Sequence, residues 1–179
     1  MIFDRYLMPD YVFKDFTSLT PEWLKKRGVK GIVTDIDNTL VTYDDPEPTP
    51  PVLQWLKMLK ENGIKVALVS NNSSPDRVRA FNRTLGFFAA YKSGKPFGSA
   101  PVRAMRHMGT DRSNTLMLGD QIFTDVMAGK CHGLTSVLVS PIRDKTNLFF
   151  RTKRWLEKPI LRRYFRNEAK KSGGRAFSS

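Results

Sequence analysis

Gly31-Ile32-Val33-Thr34-Asp35-Ile36-Asp37-Asn38-Thr39-Leu40 is the stretch on which the reading of this chain turns. It opens as a short apolar run bounded by a glycine, the pattern of a buried strand, and it delivers two carboxylates and a hydroxyl to the loop that follows. Open α/β sheets bind their ligands outside the carboxyl ends of the strands. Aspartates two residues apart point the same way off an extended segment. One can then attack an electrophile while the other handles protons, and such a pair asks for a metal. The same letters also describe a strand running into a turn in which Asp, Asn and Thr merely cap backbone groups. The rest of the chain has to decide between the two.

Working outward, 179 residues suffice for one domain with a sizeable core. Cys131 is the only cysteine, which excludes an intrachain disulfide framework or a thiolate metal cluster, fits a reducing compartment, and suggests a small buried side chain. No apolar run approaches the roughly 18 residues of a spanning helix, and the N-terminus Met1-Ile2-Phe3-Asp4-Arg5 lacks a signal-peptide layout. The expectation is a cytoplasmic protein or one peripheral to a membrane. Charge is unevenly placed: residues 143–179 hold 12 Lys and Arg against 3 Asp and Glu, nine of the thirteen net positive charges. Any polyanionic partner is therefore expected to meet the C-terminal extension.

Along the chain, residues 1–28 read as an N-terminal extension packed on the core: aromatics, isolated charges and Pro9 argue against a long element there. Within it Thr20-Pro21-Glu22 caps a short helix over 21–27. From residue 29 to 141 strand and helix alternate. Strands are expected at 29–34, 64–69, 87–91, 115–118 and 135–139, and helices from Pro50 to Gly63, from Pro75 to Leu85, over 98–108 and over 122–131. That alternation predicts an α/β fold, a Rossmann-like parallel sheet with helices on both faces.

Three further strand ends or their loops each present one polar feature: Ser70 with Asn71, Lys95, and Asp120 with Asp125. Singly these are a cap, a solvated lysine and a turn residue. Jointly they fall at the same sheet edge as Asp35 and Asp37. Asp35, Asp37 and Asp120 make an oxygen-rich set suited to Mg²⁺, while the Ser70 hydroxyl, the Asn71 backbone N–H and Lys95 supply donors and positive charge for a phosphate.

With these motifs in this order, the chain resembles the haloacid dehalogenase (HAD) superfamily phosphatases over roughly residues 29–140, through Asp35-Ile36-Asp37-Asn38-Thr39, Ser70-Asn71, Lys95 and Gly119-Asp120-Gln121-Ile122-Phe123-Thr124-Asp125. The resemblance implies Asp35 as the nucleophile that becomes an aspartyl phosphate. It implies Asp37 as general acid and then base, with Thr39 positioning Asp37, and Ser70, Asn71 and Lys95 on the phosphate. Mg²⁺ would take Asp35, the main-chain carbonyl of Asp37, and Asp120, with Asp125 ligating or orienting a bound water. Asp35 to Ser70 spans 35 residues, and the two later intervals 25 each, all filled by assigned elements. No cap domain fits, and the site should be open. The motif wording is also similar to the subfamily IIIA proteins termed YqeG-like. These are related to phosphatidylglycerophosphate phosphatases, which implies a phospholipid phosphomonoester as a candidate substrate.

Residues 142–169 are expected to form basic amphipathic C-terminal helices, two short pieces separated by Pro159, and 170–179 a disordered tail. Ile160, Leu161, Tyr164 and Phe165 share one arc and Arg162, Arg163 and Arg166 the opposite one. The apolar arc can pack on the core or the segment can lie on an anionic membrane surface. A different class of function, a basic RNA- or ribosome-associated binding protein on a HAD scaffold, fits the charge, yet no nucleic-acid module signature is present.

Overall fold

A computed structural model of the chain describes residues 2–143 and 148–173. Six strands form one sheet, all neighbours parallel: β1 (Tyr11–Phe13), β2 (Gly31–Thr34), β3 (Lys65–Val69), β4 (Phe88–Ala90), β5 (Thr115–Gly119) and β6 (Thr135–Val139), in the spatial order β1-β6-β5-β2-β3-β4. The helices are α1 (Ile2–Leu7), α2 (Pro21–Lys26), α3 (Pro50–Glu61), α4 (Pro75–Asn82), α5 (Ala100–Met108), α6 (Met127–His132) and α7 (Leu148–Gly173). β2 pairs with β3 on one side and β5 on the other. The chain first winds outward from β2 to β4 and then returns to β5, so β2 sits where the winding reverses and a crevice opens at the strand ends.

Alternation along the central strands sorts side chains onto two faces. Ile32, Leu68, Leu116 and Leu118 pack with Trp55, Leu56 and Leu59 of α3, while Val33, Ala67, Val69 and Met117 meet Ala104, Met105 and Met108 of α5. Both sheet faces are thus covered, which is why the strands are apolar runs and not alternating ones. A third cluster of Ile122, Val126 and Leu138 is sealed by Leu7, Val12 and, from α7, Ile160 and Leu161.

Three local expectations need correcting, those for Cys131, Pro159 and Lys170–Gly173, and two others gain detail. The N-terminal extension contributes a strand, β1, which pairs with β6 at the sheet edge, and its aromatics have a use: Tyr11 and Phe13 meet Trp23 of α2 edge-on at 4.9 and 5.2 Å. Cys131 is exposed, not buried, because it lies on the outer side of α6. The helix after β5 begins with a π-helical turn, Ile122–Val126, before α6. Pro159 does not divide the C-terminal segment: α7 is one helix of 26 residues that runs through it. That helix also includes Lys170–Gly173, where disorder was expected; the remainder of that tail, 174–179, lies outside the described residues. The order of α7 comes from docking. Glu157 and Tyr164 are buried while Trp155, Leu156 and Phe165 face out, so packing along one side offsets what the proline removes.

Candidate active site

The loop leaving β2 is wound tightly. The N–H groups of Leu40 and Val41 both donate to Ile36 O, that of Asn38 donates to Val41 O at 2.6 Å, and Asn38 takes a positive φ of 69°, which asparagine tolerates better than most residues. This turn throws Asp35 and Asp37 in different directions. The Asp35 carboxylate points at Lys95, whose Nζ lies 2.9 Å from Asp35 Oδ1 and 2.8 Å from Asp125 Oδ1. All three groups are buried. Asp120, at the end of β5, completes a cluster in which one carboxylate oxygen each of Asp35, Asp120 and Asp125 lies within 4.8 Å of the others.

Gly119 makes room for this arrangement. A Cβ there would stand 2.2 Å from Asp125 Cγ, so only glycine lets the Asp125 carboxylate fold back against β5, where its Oδ2 accepts the Gln121 N–H at 3.0 Å.

Electrostatics shows how crowded the cluster is. Burial, and then the neighbouring Asp125 and Asp120 carboxylates, push Asp35 well above its ordinary value against the pull of Lys95. Burial and Asp125 do the same to Asp120, opposed by Arg154 and Lys95. Burial alone would lower Lys95, yet Asp125 and Asp35 outweigh it and hold the ammonium charged. Three buried carboxylates against Lys95 and Arg154 still leave an excess of negative charge, and a hard, oxygen-seeking divalent cation matches that donor set. The residues therefore fit the implied Mg²⁺.

Asp37 is turned away from the cluster. Its Oδ1 takes Arg77 Nη2 at 2.9 Å and Nε at 3.1 Å, and its Oδ2 takes Asn72 Nδ2 at 2.9 Å. Arg77 also donates to Pro46 O and Thr42 O, tying the acidic loop after β2 to α4. Thr39, expected to position Asp37, instead gives its hydroxyl to Asp120 Oδ1 at 3.4 Å, because the positive-φ turn at Asn38 swings it to the other side.

On the opposite wall, Ser70 and Asn71 follow β3. Ser70 is buried and its Oγ accepts the Asn72 N–H at 3.0 Å. The Asn71 amide is a bracket for the lysine loop: its Oδ1 accepts Lys95 N–H at 2.9 Å and the Ser93 hydroxyl at 2.7 Å, and its Nδ2 donates to Lys95 O at 3.0 Å. A cavity of about 490 Å³ opens between these walls, lined among others by Asp35, Asp37, Tyr43, Ser70, Asn71 and Lys95. All the strand-end residues singled out in the sequence thus meet around one space, except that Asp120 and Asp125 stand behind its lining as partners of Asp35 and Lys95.

With that geometry in view, comparison with known proteins is decisive. A family model described as haloacid dehalogenase-like hydrolase matches residues 40–133. A Bacillus subtilis protein named "Probable phosphatase YqeG" is 42% identical over 157 residues, 88% of this chain and 91% of that protein. This chain belongs to the haloacid dehalogenase-like hydrolases. Within the HAD family it is a phosphatase, a phosphoric monoester hydrolase. It is also 29% identical over 176 residues to the Arabidopsis thaliana "Phosphatidylglycerophosphate phosphatase 1, chloroplastic/mitochondrial", 93% of this chain but only 50% of that longer protein. The fold agrees with the structure of the cobalt-bound form of the deoxy-D-mannose-octulosonate 8-phosphate phosphatase of Haemophilus influenzae. The TM-score is 0.51 and the identity 21% over 78% of this chain and 91% of that one.

Several residues around the HAD site were not picked out from sequence. Arg77 carried a signal: a basic residue in the first turn of a helix opposes the dipole there, which is a reason to look for a carboxylate partner. Arg154 carried none. From α7 it reaches Asp120, donating through Nη1 to Asp120 O at 2.6 Å and through Nη2 to Oδ2, and it pairs with Glu157 at 2.9 Å. Glu157, buried, in turn accepts the Ile122 N–H at 2.8 Å. Asn38 likewise holds the segment after β6 by a reciprocal pair with the Arg143 backbone, 2.8 Å each way.

Proposed function

We propose that this HAD phosphatase hydrolyses phosphomonoesters through an aspartyl phosphate on Asp35, with Mg²⁺ as its cofactor and phosphatidylglycerophosphate as its substrate. The observation that carries the reading is the bridge from Lys95 to Asp35 and Asp125, at 2.9 and 2.8 Å, on the wall of a cavity that also holds Asp37, Ser70 and Asn71.

In the first half-reaction an Asp35 carboxylate oxygen attacks phosphorus, the bond to the leaving oxygen breaks, and Asp37 gives that oxygen its proton. In the second, a water loses its proton to Asp37 and attacks the same phosphorus, releasing orthophosphate and restoring Asp35. Ser70 and the Asn71 N–H bind the phosphoryl oxygens, and Lys95 offsets charge between nucleophile and phosphate so that two anions can approach. Asp35, Asp120, the Asp37 carbonyl and, directly or through water, Asp125 would hold Mg²⁺, which supplies charge neutralisation at the phosphoryl group. Arg77 and Asn72, not Thr39, keep the Asp37 carboxylate aimed at the leaving oxygen.

Support for a lipid substrate comes from the Arabidopsis relative's name and from the outer side of α7. There Trp155 (67% exposed), Leu156 and Phe165 (55%) alternate with Lys158, Arg162 and Arg166. Aromatic and basic residues on one face suit the boundary of an anionic bilayer. No helix among the described residues is long and apolar enough to cross a membrane.

The test is phosphate release from phosphatidylglycerophosphate in anionic vesicles and from p-nitrophenyl phosphate, with Mg²⁺ or EDTA. We expect Mg²⁺-dependent turnover of both, faster on the vesicles, abolished in Asp35→Asn. The vesicle advantage should disappear when Trp155 and Phe165 are both changed to serine. Turnover that survives Asp35→Asn would end the covalent reading, and equal rates on both substrates would end the lipid one.

A further inference from the structure

One basic side chain in the cavity has no part in the chemistry above. Lys153, from the first turns of α7, lines the same cavity as Asp35 and Lys95, although it lies outside the stretch matched by the family model. Its Nζ donates to Gln121 Oε1 at 2.6 Å. A lysine ammonium has three donors, so one amide oxygen leaves capacity for another acceptor. Lys95, by contrast, sits against two carboxylates. Lys153 has no carboxylate within ion-pair distance among the described residues, so its charge faces the cavity without a contact anion.

The side chain is also held in place. Its neighbour Arg154 is anchored on Asp120, and Glu157, one turn further, takes the Ile122 N–H. The N-terminal part of α7 is thereby clamped to the loop after β5.

We infer that Lys153 is a specificity residue that binds a second anionic group on the substrate, a phosphate or phosphodiester beside the scissile phosphomonoester. The inference rests on the phosphomonoesterase reading and narrows it. Ser70, Asn71 and Lys95 already serve the scissile phosphate from the β3 and β4 side, whereas Lys153 enters from the β5 side, next to Gln121 and Thr124. A second phosphate is the group that satisfies a lone, fixed ammonium there by a charge-assisted hydrogen bond. A bisphosphorylated glycerol headgroup carries two such anions.

The experiment is a titration of the full-length Asp35→Asn protein, which cannot turn over, with glycerol 1-phosphate and with glycerol 1,3-bisphosphate, alone and combined with Lys153→Ala or Lys153→Arg. We expect the bisphosphate to bind about tenfold more tightly than the monophosphate, as one charged hydrogen bond provides. The preference should fall to within about twofold in Lys153→Ala and return largely in Lys153→Arg. Should Lys153→Ala fail to fold, Lys153→Met keeps the aliphatic stem and makes the same comparison. A preference that persists without the lysine, or a loss that is equal for both ligands, overturns the assignment. Hydrolysis of p-nitrophenyl phosphate by the unaltered protein is measured separately. Its absence alongside an intact, lysine-dependent preference refutes the enzymatic reading and supports the anion site. Its presence with no preference refutes the anion site alone.

Discussion

Arg77→Ala tests the division of labour around Asp37. The guanidinium meets that carboxylate through two nitrogens, at 2.9 and 3.1 Å, with the two side chains only 13% and 5% exposed. Breaking a buried pair by removing one partner costs about 3 kcal/mol or more. At about 2–4 °C per kcal/mol for a chain of this size, melting should fall by roughly 6–12 °C. The kinetic effect is separable. General acid catalysis is worth about 10²–10⁴-fold, and an Asp37 free to swing loses much of it, so kcat/KM for an alkyl phosphate should drop about a hundredfold. Because kcat/KM reports the steps up to phosphorylation of Asp35, p-nitrophenyl phosphate, whose leaving group departs without a proton, should lose less than about tenfold. Arg77→Lys should not rescue, since one ammonium cannot span Asp37 and the Thr42 and Pro46 carbonyls together. The assay is steady-state kinetics on both substrates at a temperature where the variant is folded. Equal losses on both, or under threefold on the alkyl phosphate, would show that Arg77 does not act through Asp37.

Two further outcomes are expected. Without metal, burial and the neighbouring carboxylates push Asp35 from 3.8 to about 7 and Asp120 in the same direction. The folded chain therefore binds more protons than the unfolded one between about pH 4 and 7, so stability falls as pH rises through that window. Scanning fluorimetry in EDTA should show this decline and Mg²⁺ should reverse it above pH 7, whereas a melting temperature that climbs with pH in EDTA would contradict the charge balance. Arg154→Ala should tighten Mg²⁺ binding about fivefold by removing a cation from a ligand oxygen, at some cost in melting temperature. Unchanged or weaker binding in calorimetry would show that Arg154 supports the metal ligand and does not compete with the metal.

The sequence by itself determined the alternation of elements and hence the parallel sheet, because apolar runs, proline and serine or threonine caps, and glycine stops are local signals that each segment carries alone. It also placed Asp35, Asp37, Ser70, Asn71, Lys95, Asp120 and Asp125 at strand ends, since a doubly wound sheet converts four separated loops into one edge. Only the tertiary structure decided which neighbours those groups have. Arg77 finds Asp37 across 40 residues and Arg154 finds Asp120 across 34. Thr39 turns to Asp120 because of a single left-handed residue, Asn38. The same holds for the two ends of the chain. β1 is three residues long and gains its order from β6, and α7 persists through Pro159 because Glu157, Ile160, Leu161 and Tyr164 are held against the core. Such contacts depend on distances between segments, which periodicity does not encode, and they are where the particular chemistry of this phosphatase resides.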